Sequence, residues 1–193
     1  MTSKIEETLA ALRAYQPPPG WDGHLLLLPE VCVRQICDHI QQYRLGSCLE
    51  LGTGFGATSC AIAAALQEQG FGTLTTVDIY EHQPVNLRAL LEHMPVDPDR
   101  IEIITDPLGY NWVMADLLQE SRSKPRFDLI FLDGAHEWKI DAFQVRMVFD
   151  LLVTGHPEYG HAHEFPVGRM GWARQLRKAG SVMGVVDRLR KMA

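Results

Sequence analysis

The stretch from Ser47 to Cys60, S-C-L-E-L-G-T-G-F-G-A-T-S-C, constrains the fold more than any other part of the chain. A short apolar run, Cys48 to Leu51, carries a single acid, Glu50, and leads into glycines at Gly52, Gly54 and Gly56. An alanine-rich helical segment follows from Ala57 to Leu66. Strand, glycine turn and helix in that order open a nucleotide-binding βαβ unit. Glycine is needed where φ turns positive or where the backbone must approach a ligand more closely than a Cβ permits. The expected fold is α/β, a central, mostly parallel sheet with helices on both faces.

Glu50 narrows the choice of ligand. A dinucleotide pyrophosphate would sit against the turn, near the helix N-terminus. A carboxylate two residues before the first glycine would repel it, whereas the sulfonium and ammonium of S-adenosylmethionine would be attracted. The spacing also departs from G-x-G-x-x-G, because Ala57 occupies the third glycine's place. The run E-L-G-T-G-F-G resembles the E/D-x-G-x-G-x-G motif of class I S-adenosylmethionine-dependent methyltransferases. That resemblance implies a Rossmann-like methyltransferase fold, with cofactor contacts from Glu50, Gly52, Thr53, Gly54, Gly56, Thr58 and Ser59. A glycine-rich turn without a ligand and a nicotinamide or flavin site remain as alternatives, the latter disfavoured by Glu50.

Leu74 to Val77 reads as a second strand that delivers Asp78 at its carboxyl end, 22 residues beyond Gly56. About 20 residues separate the glycine turn from a ribose-binding acid in this type of unit. A carboxylate suits that task because it accepts hydrogen bonds from both ribose hydroxyls. Ile79 or Tyr80 would then lie against the adenine ring. Pro84 is expected to open a helix through Met94, with Arg88 and Glu92 paired on it. Ile101 to Ile104 is a third strand, followed by Asp106, which the resemblance places near the adenine amino group. Pro107 follows where related chains more often have the acid. Asn111 to Glu120 reads as a helix with Trp112 and Leu118 turned to the core.

The second informative stretch is F-D-L-I-F-L-D-G-A-H-E-W, Phe127 to Trp138. Its apolar part, Phe127 to Leu132, has the near-continuous hydrophobicity of a strand buried on both faces. Ligands bind beyond the carboxyl ends of strands in such sheets, which puts Asp133 and His136 near the reacting group. The run resembles the D-L-I-F-I-D-G-x-H stretch of small-molecule O-methyltransferases, including sugar and natural-product enzymes. By that resemblance Asp133 meets the cofactor region or a divalent metal such as magnesium, and His136 serves as a base. Histidine suits a base because its ordinary pKa lies near 6.5, close to neutrality. A helix N-terminal histidine that only hydrogen-bonds its loop is the plainer alternative for His136.

The chain has 193 residues, 46% of them hydrophobic and 22% charged, enough for one domain with a substantial core. Its formal net charge of -6 argues against a nucleic-acid polyanion as the main partner. No apolar run reaches the ~20 residues of a membrane span, and no signal-peptide pattern opens the chain. The four cysteines, Cys32, Cys37, Cys48 and Cys60, show no zinc-type pairing and sit in apolar surroundings, as expected of reduced thiols in a cytoplasmic protein. Three parts are expected within the single domain. They are a helical cap region over 1–46, a cofactor-binding core over 47–153 and a tail over 154–193.

In the cap region, a helix over Thr2 to Tyr15 stops at Pro17, Pro18, Pro19 and Gly20. The W-D-G-H loop, Trp21 to His24, leads to a second helix that Pro29 opens and Gly46 ends. Regions of this kind commonly cover the cleft in methyltransferase-like chains, so Trp21 and His24 are candidate substrate contacts. An exposed connector carrying one buried tryptophan is the alternative.

The resemblance spans roughly Leu25 to Phe143, then departs. A chain of this kind normally continues into a fifth strand and a further acid. Here Ile140, Phe143, Met147, Leu151 and Leu152 recur at helical spacing instead. Either one helix runs over about 137–153, or a segment has been lost near Phe143 and Gln144; the expectation favours a loss. The H-x-H pair at His161 and His163, with His156 nearby, fits a solvated loop better than a metal site. A terminal helix is expected over Ser181 to Lys191.

The reading is an S-adenosylmethionine-dependent methyltransferase acting on an oxygen of a small molecule, in a natural-product context and with a homodimer as a possible assembly. A cofactor-binding but inactive relative that acts as an interaction partner is the alternative of a different class.

Overall fold

The computed structural model describes residues 3–25, 28–120 and 127–133. Nine principal elements follow one another. They are α1 (Lys4–Ala14), α2 (Glu30–Tyr43), β1 (Ser47–Leu51), α3 (Ala57–Glu68), β2 (Thr73–Asp78), α4 (Leu87–Leu91), β3 (Ile101–Thr105), α5 (Tyr110–Glu120) and β4 (Leu129–Leu132). The four strands form one parallel sheet in the order β3-β2-β1-β4. The chain therefore winds outward from β1 through β2 to β3, then returns to the other side of β1. The crevice beside such a reversal, at the carboxyl ends of the strands, is where parallel α/β sheets take ligands.

Strand alternation assigns the two faces. Cys48 and Leu74 pack with α1, α2, α3 and α4, whereas Leu49, Leu51 and Val77 pack with Val113, Met114 and Leu117 of α5. The sheet is thus sandwiched between helical layers, the arrangement of a Rossmann-like methyltransferase fold. α3 is buried from Ala57 to Leu66, and its short side chains let the sheet and the two N-terminal helices close on it from opposite sides.

Several local expectations need correction. α2 ends when Arg44 turns left-handed (φ 53°), before Gly46 is reached, and its backbone N–H bonds back to Gln41. Pro84 follows a cis peptide and does not start a helix; α4 begins only at Leu87, capped by the Asn86 side chain on the Ala89 N–H (3.0 Å). Arg88 accordingly pairs with Glu81 (2.8 Å), and the expected Glu92 partner lies past the end of that short helix. Trp112 is 60% exposed, because the buried stripe of α5 is carried by Val113, Met114 and Leu117. β4 is half-buried throughout, unlike the doubly covered strand the apolar run suggested. Among the described strands it stands at one margin of the sheet.

The expected helix over 137–153, the junction at Phe143 and Gln144, the histidines at 156, 161 and 163, and the terminal helix over 181–191 all lie outside the described residues. Among the described residues, no helix is long and apolar enough to cross a membrane. Cys37, Cys48 and Cys60 are buried, Cys32 is half-buried, and all four are free thiols. Burial pushes the Cys37 thiol up to about 12 and raises Cys48 and Cys60 further, so these sulfurs pack as apolar groups.

Candidate functional site

The site forms where β1, β2 and β4 end. Backbone bonds align the three ends: Gly52 N–H donates to Val77 O (2.8 Å), and Asp133 N–H donates to Leu51 O (2.8 Å). Gly52, Gly54 and Gly56 have φ of 105°, 54° and 92°, a region that side-chain-bearing residues seldom enter. At Gly56 the requirement is also steric. A Cβ there would stand 2.6 Å from the Leu87 Cβ and 2.7 Å from its Cα, so this glycine lets α4 lie directly against the start of α3.

The turn folds over Asp78. The carboxylate Oδ2 accepts from Gly54 N–H (2.8 Å), and Oδ1 accepts from the Ile79 N–H (2.7 Å). Tyr110, the first residue of α5, directs its hydroxyl at the same Oδ1 from 3.4 Å. Burial, followed by the charge of Asp78, raises the Tyr110 phenol above its ordinary value and keeps it a donor. Thr53, Gly54, Asp78, Tyr80, Leu87 and Arg88 are among the residues lining a shallow, open cleft.

Glu50 lies underneath. It is fully buried on the α3 side of the sheet, and its Oε2 accepts hydrogen bonds from the hydroxyls of Ser59 and Thr76 (2.6 Å for Thr76). Thr76 in turn shares a 2.7 Å hydroxyl–hydroxyl bond with Thr53 in the glycine turn. Oε1 is buried without a hydrogen-bond partner. Burial pushes this carboxyl up to about 8; the Ser59 and Thr76 hydroxyls pull it down, and the nearby Asp133 and Asp78 charges push it up. Complete desolvation corrects the expectation of a fixed negative charge at Glu50: near neutrality the group holds its proton.

The remaining expected residues divide by position. Thr58 and Ser59 are buried in the first turn of α3. Ile79 is 38% exposed just past β2, and a Cβ at Gly109 would meet its Cγ2 at 3.6 Å, so it faces the loop before α5. Asp106 lies in that loop, where its N–H donates to the Asp78 carbonyl (3.0 Å) and its Oδ1 accepts from Leu108 N–H (2.8 Å). Asp133 is half-buried directly after β4. His136 lies outside the described residues. Among the described residues, no group of three or more histidines, cysteines or acids could hold a metal ion.

An aromatic row crosses the outside of the turn. The Trp21 indole meets Phe55 edge-on at 5.2 Å, Phe55 meets His82 at 4.9 Å, and His82 meets Tyr80 at 4.8 Å. Gly23 packs against the indole, where a Cβ would stand 2.6 Å from Cζ2. Trp21 is therefore half-buried against the turn, and His24 is exposed. Phe55, Thr76 and Tyr110 were not singled out from the sequence. Thr76 could have been found, since residues two apart on a strand share a face and Asp78 was already assigned. The Phe55 and Tyr110 contacts depend on where distant segments land.

Residues 49–155 match a family described as "Methyltransferase domain". Among solved structures, the chain is similar to the SAH-bound methyltransferase PaMTH1 of Podospora anserina, at 18% identity and a TM-score of 0.55. The match covers 79% of this chain and 58% of that one. It is also similar to an O-methyltransferase from Bacillus cereus in complex with SAH, at 21% identity and a TM-score of 0.49, covering 81% of this chain and 63% of that one. The chain thus spans about three fifths of the length of these structures. No curated protein matches it in sequence.

Proposed function

The chain belongs to the methyltransferase-domain family, and on that premise we propose that it is an S-adenosylmethionine-dependent methyltransferase acting on an oxygen of a small molecule. The observation that carries the reading is the Asp78 carboxylate, held beside the glycine turn by the Gly54 and Ile79 amides at the mouth of the cleft. Two oxygens fixed by backbone donors suit a ribose diol: Oδ2, with one donor, keeps accepting capacity, and Oδ1 can exchange the long Tyr110 bond for a ribose hydroxyl. The residues fit the cofactor in charge as well. Asp78 and Asp133 converge on one end of the sheet beside the buried Glu50 carboxyl, and the charges of these two aspartates favour a cationic ligand and disfavour a pyrophosphate.

In this reading Gly52, Thr53, Gly54 and Gly56 form the floor, with Thr58 and Ser59 behind it. Asp78 holds the ribose, and Ile79 and the Asp106 loop flank the adenine. S-adenosylmethionine supplies a methyl group activated on its sulfonium. His136 or Asp133 takes the proton from the acceptor hydroxyl. Alignment of the acceptor oxygen would provide much of the rate. A divalent metal at Asp133 is an additional element of the reading, tested by chelation and add-back of magnesium. The proposal extends to a cytoplasmic enzyme of natural-product biosynthesis, built as one domain over 1–193 and able to pair as a homodimer.

Calorimetric titration with S-adenosylhomocysteine, alongside NAD, tests the cofactor assignment. Saturable binding of the first and none of the second is expected, and the reverse pattern would overturn the reading. Transfer of label from methyl-labelled cofactor to a pool of small hydroxylated acceptors separates an enzyme from an inactive binding relative.

A further inference from the structure

Glu50 is an acid on a sheet face that otherwise packs Cys48, Leu74, Ile103 and Phe131 toward the helices. Three features make its position unusual. Oε2 takes both hydroxyl bonds, from Ser59 of α3 and Thr76 of β2, while Oε1 is fully buried with no partner. The charged groups acting on it are themselves acids, Asp78 at the end of β2 and Asp133 after β4. From α3 it also faces the Cys60 thiol, and from its own strand the Cys48 thiol, both kept neutral by burial. Finally, Thr76 links it to Thr53, so the state of a buried carboxyl is joined by hydroxyls to the ligand-facing turn.

A buried carboxyl with one unpaired oxygen is poorly stabilised as an anion, and two neighbouring acids make it worse. A cation arriving at the turn reverses both effects. Resting on the cofactor reading above, we propose that Glu50 is an exchangeable counter-charge: it holds a proton in the free protein and releases that proton to solvent when the positively charged cofactor binds. The step balances as neutral carboxyl to carboxylate plus one proton, with the cofactor's positive charge as the compensating ion. The Thr76 hydroxyl keeps donating to Oε2, and the Thr53 hydroxyl adjusts to it within the turn. Glu50 thereby becomes a residue that distinguishes the sulfonium form of the cofactor from its neutral thioether product.

The consequence is directional. Below the pH at which free Glu50 titrates, about 8, binding of S-adenosylmethionine requires loss of the proton. Affinity should therefore rise with pH, approaching tenfold per unit for one full proton, and level off above that point. S-adenosylhomocysteine, which lacks the sulfonium charge, should show a shallower rise.

The test uses the full chain and calorimetry at pH 7 in two buffers of different ionisation enthalpy. The expected result is release of close to one proton per S-adenosylmethionine bound, fewer for S-adenosylhomocysteine, and none for either ligand in Glu50→Gln. A second measurement needs no variant: the carbon chemical shift of the labelled Glu50 carboxyl should titrate near pH 8 in the free protein and report an anion at neutral pH when S-adenosylmethionine is bound. Binding without proton release, or a Glu50 resonance already ionised at pH 6 in the free protein, overturns the proposal and leaves the cofactor reading intact. If neither ligand binds the parent protein, the cofactor reading fails and this inference falls with it.

Discussion

β1 carries acids around both of its ends, and the two ends use them differently. At the amino end, Asp128 Oδ2 accepts from the N–H groups of Gly46 (2.8 Å) and Ser47 (2.9 Å), joining the entry to β1 to the entry to β4. That carboxylate is exposed, faces backbone donors and closes a structural clip. At the carboxyl end, Asp78 also accepts from backbone N–H groups, yet it lies beside an open cleft and two further acids. Backbone-bonded carboxylates are therefore poor markers of function by themselves. Crowding with other acids beside a cleft separates the proposed functional end from the structural one.

The comparison is sharpened most by His136, which belongs to the functional end in the proposed reading. His136→Ala should lower turnover by about 10²–10⁴-fold, the range for a lost general base, with cofactor affinity close to the parent's. Its pH–rate profile should lose a limb near neutrality. Equal losses of binding and turnover would make this histidine structural.

Glu50 gives the next effect, on stability. Its folded-state value is raised to about 8 from an ordinary 4.5, so the unfolded chain loses this proton first as pH rises. Stability from this group is complete below the ordinary value and declines through the window up to about 8. The slope is at most about 1.4 kcal/mol per pH unit. Denaturant titrations at several pH values should show this decline in the parent and its absence in Glu50→Gln; parallel curves would refute the assignment.

Asp78→Ala should weaken S-adenosylhomocysteine binding by about 1–3 kcal/mol, the range for a lost hydrogen bond to a charged group. Unchanged affinity would sink the ribose assignment. Asp128→Ala should do the opposite, reducing unfolding free energy by about 1 kcal/mol, as suits an exposed carboxylate on two amides, while leaving affinity alone. If the exposed clip variant lost affinity as much as the site variant, the division between the two ends would collapse.

The parts of the molecule legible in the sequence are those whose signals are local. The apolar run, the glycine turn and the alanine-rich helix announce β1 and α3, and the strand before Asp78 fixes where that acid emerges. That Thr76 shares a face with Asp78 was legible from strand alternation; that it meets Glu50 was not, because Glu50 stands opposite Thr76 only once β1 and β2 pair. Trp112 was misplaced because helical periodicity gives a stripe without saying which stripe faces the sheet. Arg88 was misplaced because Pro84 resembled a helix start, whereas Asn86 supplies the cap and shortens the helix. The Glu50 and Trp112 misses concern which distant group arrives, the Arg88 miss a local cap, and each hit the chain's own next few residues.

The strand order carries a consequence for the order of assembly. β1 meets β2 across a short span, Cys48 opposite Leu74, but meets β4 across a long one, Cys48 opposite Leu129. Loop-closure entropy makes the longer closure more costly by about 1 kcal/mol, and β4 gains few residues of pairing in return. The β1–β2–β3 half should therefore form first, carrying the turn and Asp78, with β4 and Asp133 docking afterwards. Pulse-labelled hydrogen exchange during refolding should protect the amides of β2 before those of β4; simultaneous protection would contradict this sequence of events. The order in which the ribs of the sheet are laid down would then match the order in which its ligand contacts become available.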